Sequence, residues 1–329
     1  MPLLLALTLL LVPVAAVGAH FFAAMMRRAS LGQQIRDYGP RLHEKKSGIP
    51  TMGGVVVLLL WAFALLIVHR FQPLSVGGLF VLASGISFGG IGFLDDFLSL
   101  RRRRSLGLSP RQKILLSTIL VGALFLVFPQ IGRVSVQVPF STLTFMLPPG
   151  LAVLLAWAVF LATTNGMNLT DGLDGLATGT TLIILFGYLL LFSGGASTPV
   201  ILPLIGILGG FLWVNAYPAR LFLGDTGSFA MGGVVAGLAV TSGTQLVLPL
   251  LAGLLVLETS SVIIQVSYYR FTGKRIFKIS PLHHHFERAE GIDYSYLLPN
   301  VEWPEPKIVL RLWIVQGICV GAGVLATWL

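Results

Sequence analysis

The amino-acid sequence predicts an all-α polytopic membrane protein with ten transmembrane helices and both termini on the periplasmic side. A small periplasmic β-hairpin and an active site on the cytoplasmic face complete the expectation. Three observations lead to it. The 329-residue chain is 55% hydrophobic and 11% charged, with a mean hydropathy of +0.87, whereas a soluble domain carries about a quarter charged residues. Apolar runs of spanning length, about 17–25 residues, recur ten times. Lysine and arginine crowd into alternate connections between those runs.

The runs lie near 2–26, 51–68, 75–94, 114–132, 149–167, 175–193, 198–217, 226–242, 246–269 and 308–329. The first, "MPLLLALTLLLVPVAAVGA", has the apolar core of a signal peptide but no basic residue ahead of it. Its first positive charges, Arg27 and Arg28, come after the run, so a retained helix is expected. The second starts at the Gly/Pro-broken "SGIPTMGG", and the third ends on "GFLDDFLSLRRRR". "LSPRQK" starts the fourth, with Ser109 as N-cap and Pro110 at the first helical position. Residues 134–145, "VSVQVPFSTLTF", alternate around Pro139 and read as the hairpin. The connection at about 270–306 is the longest and is too short for a core of its own. Residues 1–329 therefore form a single integral-membrane domain.

The first connection holds Arg27, Arg28, Arg36, Arg41, Lys45 and Lys46, and the third holds Arg101 to Arg104, Arg111 and Lys113. The ninth holds Arg270, Lys274, Arg275, Lys278, Arg288 and Lys307, while the even connections hold only Arg70 and Arg133. The positive-inside rule places the odd connections in the cytoplasm. The net charge of +9 is thus a topology signal that also attracts anionic lipid or substrate. It does not indicate nucleic acid, since no soluble basic face with stacking aromatics accompanies it. The single cysteine, Cys319, excludes an intramolecular disulfide.

The acids are one-sided. Of thirteen Asp and Glu residues, all but Glu258 fall in cytoplasmic connections or at cytoplasmic helix ends. Asp95 and Asp96 close the third helix, "NLTDGLDGLATG" carries Asp171 and Asp174, and "LFLGDTGS" carries Asp225. Singly, Asp225 and one of Asp171 and Asp174 read equally well as helix caps, and Gly-flanked Asp is ordinary turn chemistry. Together, five carboxylates at one membrane edge repel unless a cation sits among them, and intramembrane acids mark function. Hard oxygen donors without cysteine clusters suit Mg²⁺ or Mn²⁺. The same face carries Lys46 and Lys113, the latter in a first helical turn where the dipole disfavours a cation. It also carries His283, His284 and His285, suited to phosphate binding, proton handling or metal ligation. Such a set describes phosphoryl transfer involving a lipid. A transporter of an anionic solute, which would keep its coupled charges near the midplane, is the competing class. Glu258 alone lies deep on this reading, about 18 Å from the cytoplasmic end, with Gln265 along the same stripe as a packing contact.

"KKSGIPTMGG", "GFLDDF", "NLTDGLDGLA", "LFLGDTGS" and "PLHHHFE" resemble, in that order, the polyprenyl-phosphate N-acetylhexosamine phosphate transferase superfamily. The histidine triplet points within it to the phospho-N-acetylmuramoyl-pentapeptide transferases rather than to relatives using N-acetylglucosamine. The resemblance spans about residues 45–290. It implies transfer from UDP-N-acetylmuramoyl-pentapeptide to undecaprenyl phosphate at the bacterial inner membrane, giving lipid I and UMP. It further implies a Mg²⁺ cofactor and a homodimer. By matched position, Asp225 and Asp171 are the implied metal ligands, and Asp95 and Asp96 complete the catalytic acids. Lys46, Thr51, Lys113, Asn168, Asp174, Asn215, Phe222, His283, His284 and His285 are the implied substrate contacts.

Overall fold

The computed structural model describes residues 1–29, 48–102, 107–192, 194–288 and 294–328. In chain order the helices are α1 (Pro2–Arg28), α2 (Gly54–Phe71), α3 (Val76–Arg102), α4 (Pro110–Val127), α5 (Pro149–Thr170) and α6 (Leu176–Leu191). They continue with α7 (Thr198–Asn215), α8 (Gly224–Ser242), α9 (Leu248–Leu251), α10 (Gly253–Thr272), α11 (Leu282–His285) and α12 (Glu305–Trp328). Each of the ten expected segments meets a helix. Among the described residues, seven helices are long and apolar enough to cross a membrane: α1 to α5, α7 and α12. Helix α6 is apolar but shorter.

Local chemistry explains the helix ends. Ser109 accepts from the Gln112 backbone N–H, and the Gln112 side chain accepts from the Ser109 N–H at 2.8 Å, a full capping box at α4. The hairpin is present as two antiparallel strands, β1 (Val136–Gln137) and β2 (Thr144–Phe145), with Val136 opposite Phe145. It lies at the end of the bundle where α12 finishes, since Phe140 donates its backbone N–H to the Ala326 carbonyl at 2.7 Å.

The ninth expected span is not one helix. It breaks at Ala252 between α9 and α10. Gln316 of α12 occupies the break: its Oε1 accepts from the Leu254 N–H at 3.0 Å, and its Nε2 donates to the Leu251 carbonyl at 2.7 Å. An interrupted helix survives in an apolar setting when another side chain takes up the freed backbone groups.

The centre of the bundle is α8, packed between α3 and α5. Phe88 of α3 stacks on Phe160 of α5 at 4.9 Å between centroids. Small residues bring α3 and α8 together: a Cβ at Gly92 would lie 2.0 Å from the Asp225 carbonyl oxygen. Close backbone approach through small residues is how helices pack where apolar burial gives no preference. That contact sets the two acidic segments side by side.

Candidate active site

The first turn of α8 organises the site. Gly224 precedes Asp225 with φ +75°, a conformation that favours glycine. Asp96, projecting from α3, accepts from the Asp225 N–H at 3.2 Å and the Thr226 N–H at 2.9 Å. It also accepts from the Thr226 hydroxyl at 2.6 Å. A carboxylate from one helix therefore caps another, where free N–H groups and the helix dipole favour negative charge.

The Asp225 side chain then meets two neighbours. Its Oδ2 lies 2.5 Å from the Lys113 ammonium, and its Oδ1 accepts from Asn168 at 2.8 Å. Asn168 also donates to the Ser228 hydroxyl at 3.1 Å. Lys113 reaches on to Asp95 at 3.1 Å, whose other oxygen accepts from the Leu108 N–H at 2.5 Å. Residues far apart in sequence thus share one charge cluster. The lysine placed against the dipole of α4 is held there by two carboxylates.

Asp171 follows α5 in the connection to α6. Burial, then the nearby Asp225 and Asp96 carboxylates, push its carboxyl well above the ordinary range. Lys113 is, among the described residues, the cation of this group, paired with Asp95 and Asp225. Among the described residues, no group of three or more His, Cys, Asp or Glu side chains is arranged to hold a metal ion.

Thr51 and Phe222 belong to one backbone ladder. Phe222 donates to the Pro50 carbonyl at 2.9 Å and accepts from the Gly53 N–H at 2.9 Å, while Gly54 donates to Leu223 at 2.8 Å. The "SGIPTMGG" and "LFLG" segments are thereby joined, and Thr51 sits against Gly224. Lys46 lies outside the described residues.

Three residues expected to contact substrate are packed and hydrogen-bonded within the walls. Asn215, 2% exposed, accepts from the Thr178 hydroxyl at 2.7 Å and donates to the Leu221 carbonyl at 3.0 Å. Asp174 accepts from the Ala219 N–H at 2.9 Å, and its own N–H donates to Glu305 at 2.8 Å. His283 is fully buried against Gly172 and Glu258. Turn and triplet patterns place such residues in a site but do not say which way each side chain faces.

The other two histidines are pinned separately. His284 Nδ1 lies 2.6 Å from Glu287 Oε2. His285 Nδ1 accepts from the Lys278 N–H at 3.0 Å, which leaves the proton of the neutral ring on Nε2. Burial, then the Lys278 charge, lower the His285 pKa, so it stays neutral near pH 7. Lys278 is itself fully buried and donates to the Glu287 carbonyl.

Glu258 is not a helix-packing contact. Glu258, fully buried on α10, meets the histidine loop, accepting from the His283 N–H at 3.3 Å. Gln265, on the same buried stripe, accepts from Ile276 and Phe277, each at 3.0 Å. The stripe read from the sequence therefore grips the loop. Glu258→Gln keeps an acceptor for His283 and is expected to retain turnover within about tenfold. Glu258→Ala leaves that N–H buried and unpaired and is expected to lose about 1–3 kcal/mol of stability. Paired melting curves and kcat/KM values check both.

Thr226, Ser228 and Leu108 were not singled out from the sequence. Thr226 and Ser228 lie inside the "GDTGS" motif, but nothing local reveals a cap supplied from another helix.

The family described as glycosyl transferase family 4 matches residues 78–243. The chain is 40% identical to a phospho-N-acetylmuramoyl-pentapeptide-transferase of Kineococcus radiotolerans, over 93% of this chain and 92% of that protein. It is 40% identical, with the same coverage, to the one of Streptomyces coelicolor. For Geobacillus thermodenitrificans the identity is 40%, over 89% of this chain and 88% of the relative.

Proposed function

The chain belongs to the phospho-N-acetylmuramoyl-pentapeptide transferases of glycosyl transferase family 4, and on that premise we propose how its acid cluster performs the reaction. The protein is a multi-pass transferase of the bacterial cytoplasmic membrane. It moves phospho-N-acetylmuramoyl-pentapeptide from its UDP carrier to undecaprenyl phosphate, giving lipid I and UMP in peptidoglycan synthesis. The acid-lined end faces the cytoplasm, where the nucleotide sugar is dissolved, and the full bundle crosses the bilayer ten times with both termini outside. The assembly is a homodimer, to be checked by native mass spectrometry.

The observation that carries the mechanism is the charge imbalance around Asp225. Among the described residues, Lys113 pairs with two of the four carboxylates, Asp95 and Asp225, while Asp171 lies close to Asp225 and Asp96, and hard oxygen donors of this kind fit Mg²⁺. Asp225 and Asp171 would hold it, and when bound it would offset charge on the pyrophosphate. Lys113 then neutralises phosphate oxygens from the opposite side. Asn168 keeps Asp225 aimed, and Asp96 keeps the first turn of α8 in place. Thr51, Phe222, His284 and His285 border the donor, and Lys46 contributes a further cation to its phosphates.

A phosphomonoester has a second pKa of about 6, so the lipid phosphate is mostly dianionic at neutral pH and needs no strong base. One of its oxygens attacks the sugar-proximal phosphorus. A new P–O bond forms as the bond to the bridging oxygen breaks, and the electron pair leaves with UMP. Asp95 is a poor candidate for a covalent intermediate, because both its oxygens are engaged, by Leu108 and by Lys113.

The test is direct. Purified protein, labelled UDP-N-acetylmuramoyl-pentapeptide, undecaprenyl phosphate and Mg²⁺ are expected to yield UMP and labelled lipid in equal amounts. Chelation is expected to stop turnover, and Mg²⁺ to restore it. Equal use of UDP-N-acetylglucosamine would reject the substrate assignment. A phospho-sugar adduct trapped on Asp95 or Asp96 without acceptor lipid would reject direct attack.

A further inference from the structure

A cavity of about 510 Å³ opens between α1 and the end of α7. His20 and Phe21 line one side, and Trp213, Tyr217 and Arg220 line the other. The aromatic side chains face outward: Trp213 is 86% exposed, Phe21 68% and Tyr217 53%. Exposed Trp and Tyr of that kind belong at the headgroup level of a membrane, where one end of the ring is apolar and the other wet.

The rim is cationic. Arg27 donates to the Arg220 carbonyl at 3.1 Å, which anchors its guanidinium beside the Arg220 segment. No Asp or Glu among the described residues lines the cavity. Among the described residues, neither arginine forms an ion pair. An apolar trough that ends at two arginines complements an amphiphile with an anionic head.

We propose that this cavity binds an anionic glycerophospholipid of the phosphatidylglycerol class, with an acyl chain along α1 and α7 and the phosphodiester on Arg27 and Arg220. The occupant braces the back of the acid cluster. Ala219, in the turn that carries Arg220, donates to Asp174, and the Cβ of Gly175 would meet Ala216 at 3.4 Å. That turn runs directly into Asp225. The inference rests on the acid end lying at a membrane edge and not on the reaction assigned above. A protein that failed as a transferase would still bind the lipid.

The experiment places the full-length protein in phosphatidylcholine nanodiscs with rising phosphatidylglycerol, reading bound lipid by native mass spectrometry and stability by melting midpoint. Phosphatidylglycerol is expected to be retained and to raise the midpoint. A contribution of about 1 kcal/mol per cation near the surface makes Arg27→Gln/Arg220→Gln weaken binding about thirtyfold. Trp213→Ala is also expected to lower retention. The charge-matched pair Arg111→Gln/Arg270→Gln is expected to bind as the parent does. Should the first double variant fold poorly, Arg220→Gln alone, about fivefold weaker by the same reasoning, carries the comparison. Equal loss in both double variants would mean general surface attraction and overturn the site. So would equal protection by phosphatidylcholine, the same shift with inorganic phosphate, or groove variants that change only dimer content.

Discussion

Asp225→Asn is expected to lower turnover by about a hundred- to a thousandfold and to melt less far below the parent than Asp96→Asn, since its side chain is 25% exposed and Lys113 can turn to Asp95. The amide keeps the shape of the side chain and one oxygen for Asn168, so the contact at 2.8 Å can persist. What it loses is the charge facing Lys113 at 2.5 Å, and with it the centre of the proposed Mg²⁺ site. The companion change Asp96→Asn separates chemistry from scaffolding. Asp96 accepts three hydrogen bonds from the start of α8, and an amide nitrogen turned toward any of those donors cannot accept. Such a buried mismatch costs about 1–3 kcal/mol, so Asp96→Asn is expected to melt lower as well as turn over slowly. Melting curves and single-turnover rates on both variants decide this. An Asp225→Asn protein that turns over normally would remove Asp225 from the centre of the mechanism. An Asp96→Asn protein as stable as the parent would remove Asp96 from the cap.

The contrast between those two aspartates shows what the sequence could and could not reveal. Charge alternation and apolar runs located every long helix, and the one-sided acids located the site, because both are properties of composition along the chain. The fate of individual polar groups depends on crossings between helices, which local pattern does not encode. Asp95 and Asp96 are neighbours on α3, yet one faces Lys113 and the turn at Leu108 while the other caps α8. The break at Ala252 was equally hidden. "LVLPLLAGLLVLE" reads as one apolar run, and only Gln316, more than sixty residues later, satisfies the interrupted backbone. Counting along the helix puts Glu258 in the bundle interior, where it is indeed fully buried, but the count does not reveal that its partner there is the histidine loop. The histidine triplet was legible as a unit, but its division of labour was not. Each histidine is held differently: His283 through its backbone N–H by Glu258, the His284 ring by Glu287 and the His285 ring by the Lys278 N–H.

The seam between α3 and α8 yields the largest expected structural effect, in a pair of substitutions two residues apart. Replacing glycine by alanine inside a helix ordinarily stabilises it by about 0.5–1 kcal/mol. Gly90 has nothing within 4 Å of an added Cβ, so Gly90→Ala is expected to gain something of that order. At Gly92 the same methyl group would lie 2.0 Å from the Asp225 oxygen, 2.4 Å from its carbonyl carbon and 2.7 Å from the Thr226 Cα. Those are backbone atoms and cannot rotate away, so the helices must separate. Overpacking of this kind typically costs 1–3 kcal/mol, occasionally more, and here it acts on the cap as well. Drawing α3 back lengthens the Asp96 contacts with Thr226, now 2.9 and 2.6 Å, and carries Asp95 away from Lys113. Gly92→Ala is therefore expected to melt well below the parent and to lose most of its turnover, with Gly90→Ala melting at or above the parent and fully active. Parent-like melting and turnover in Gly92→Ala would mean that the two helices can part without disturbing Asp225, and the site would not depend on their close approach.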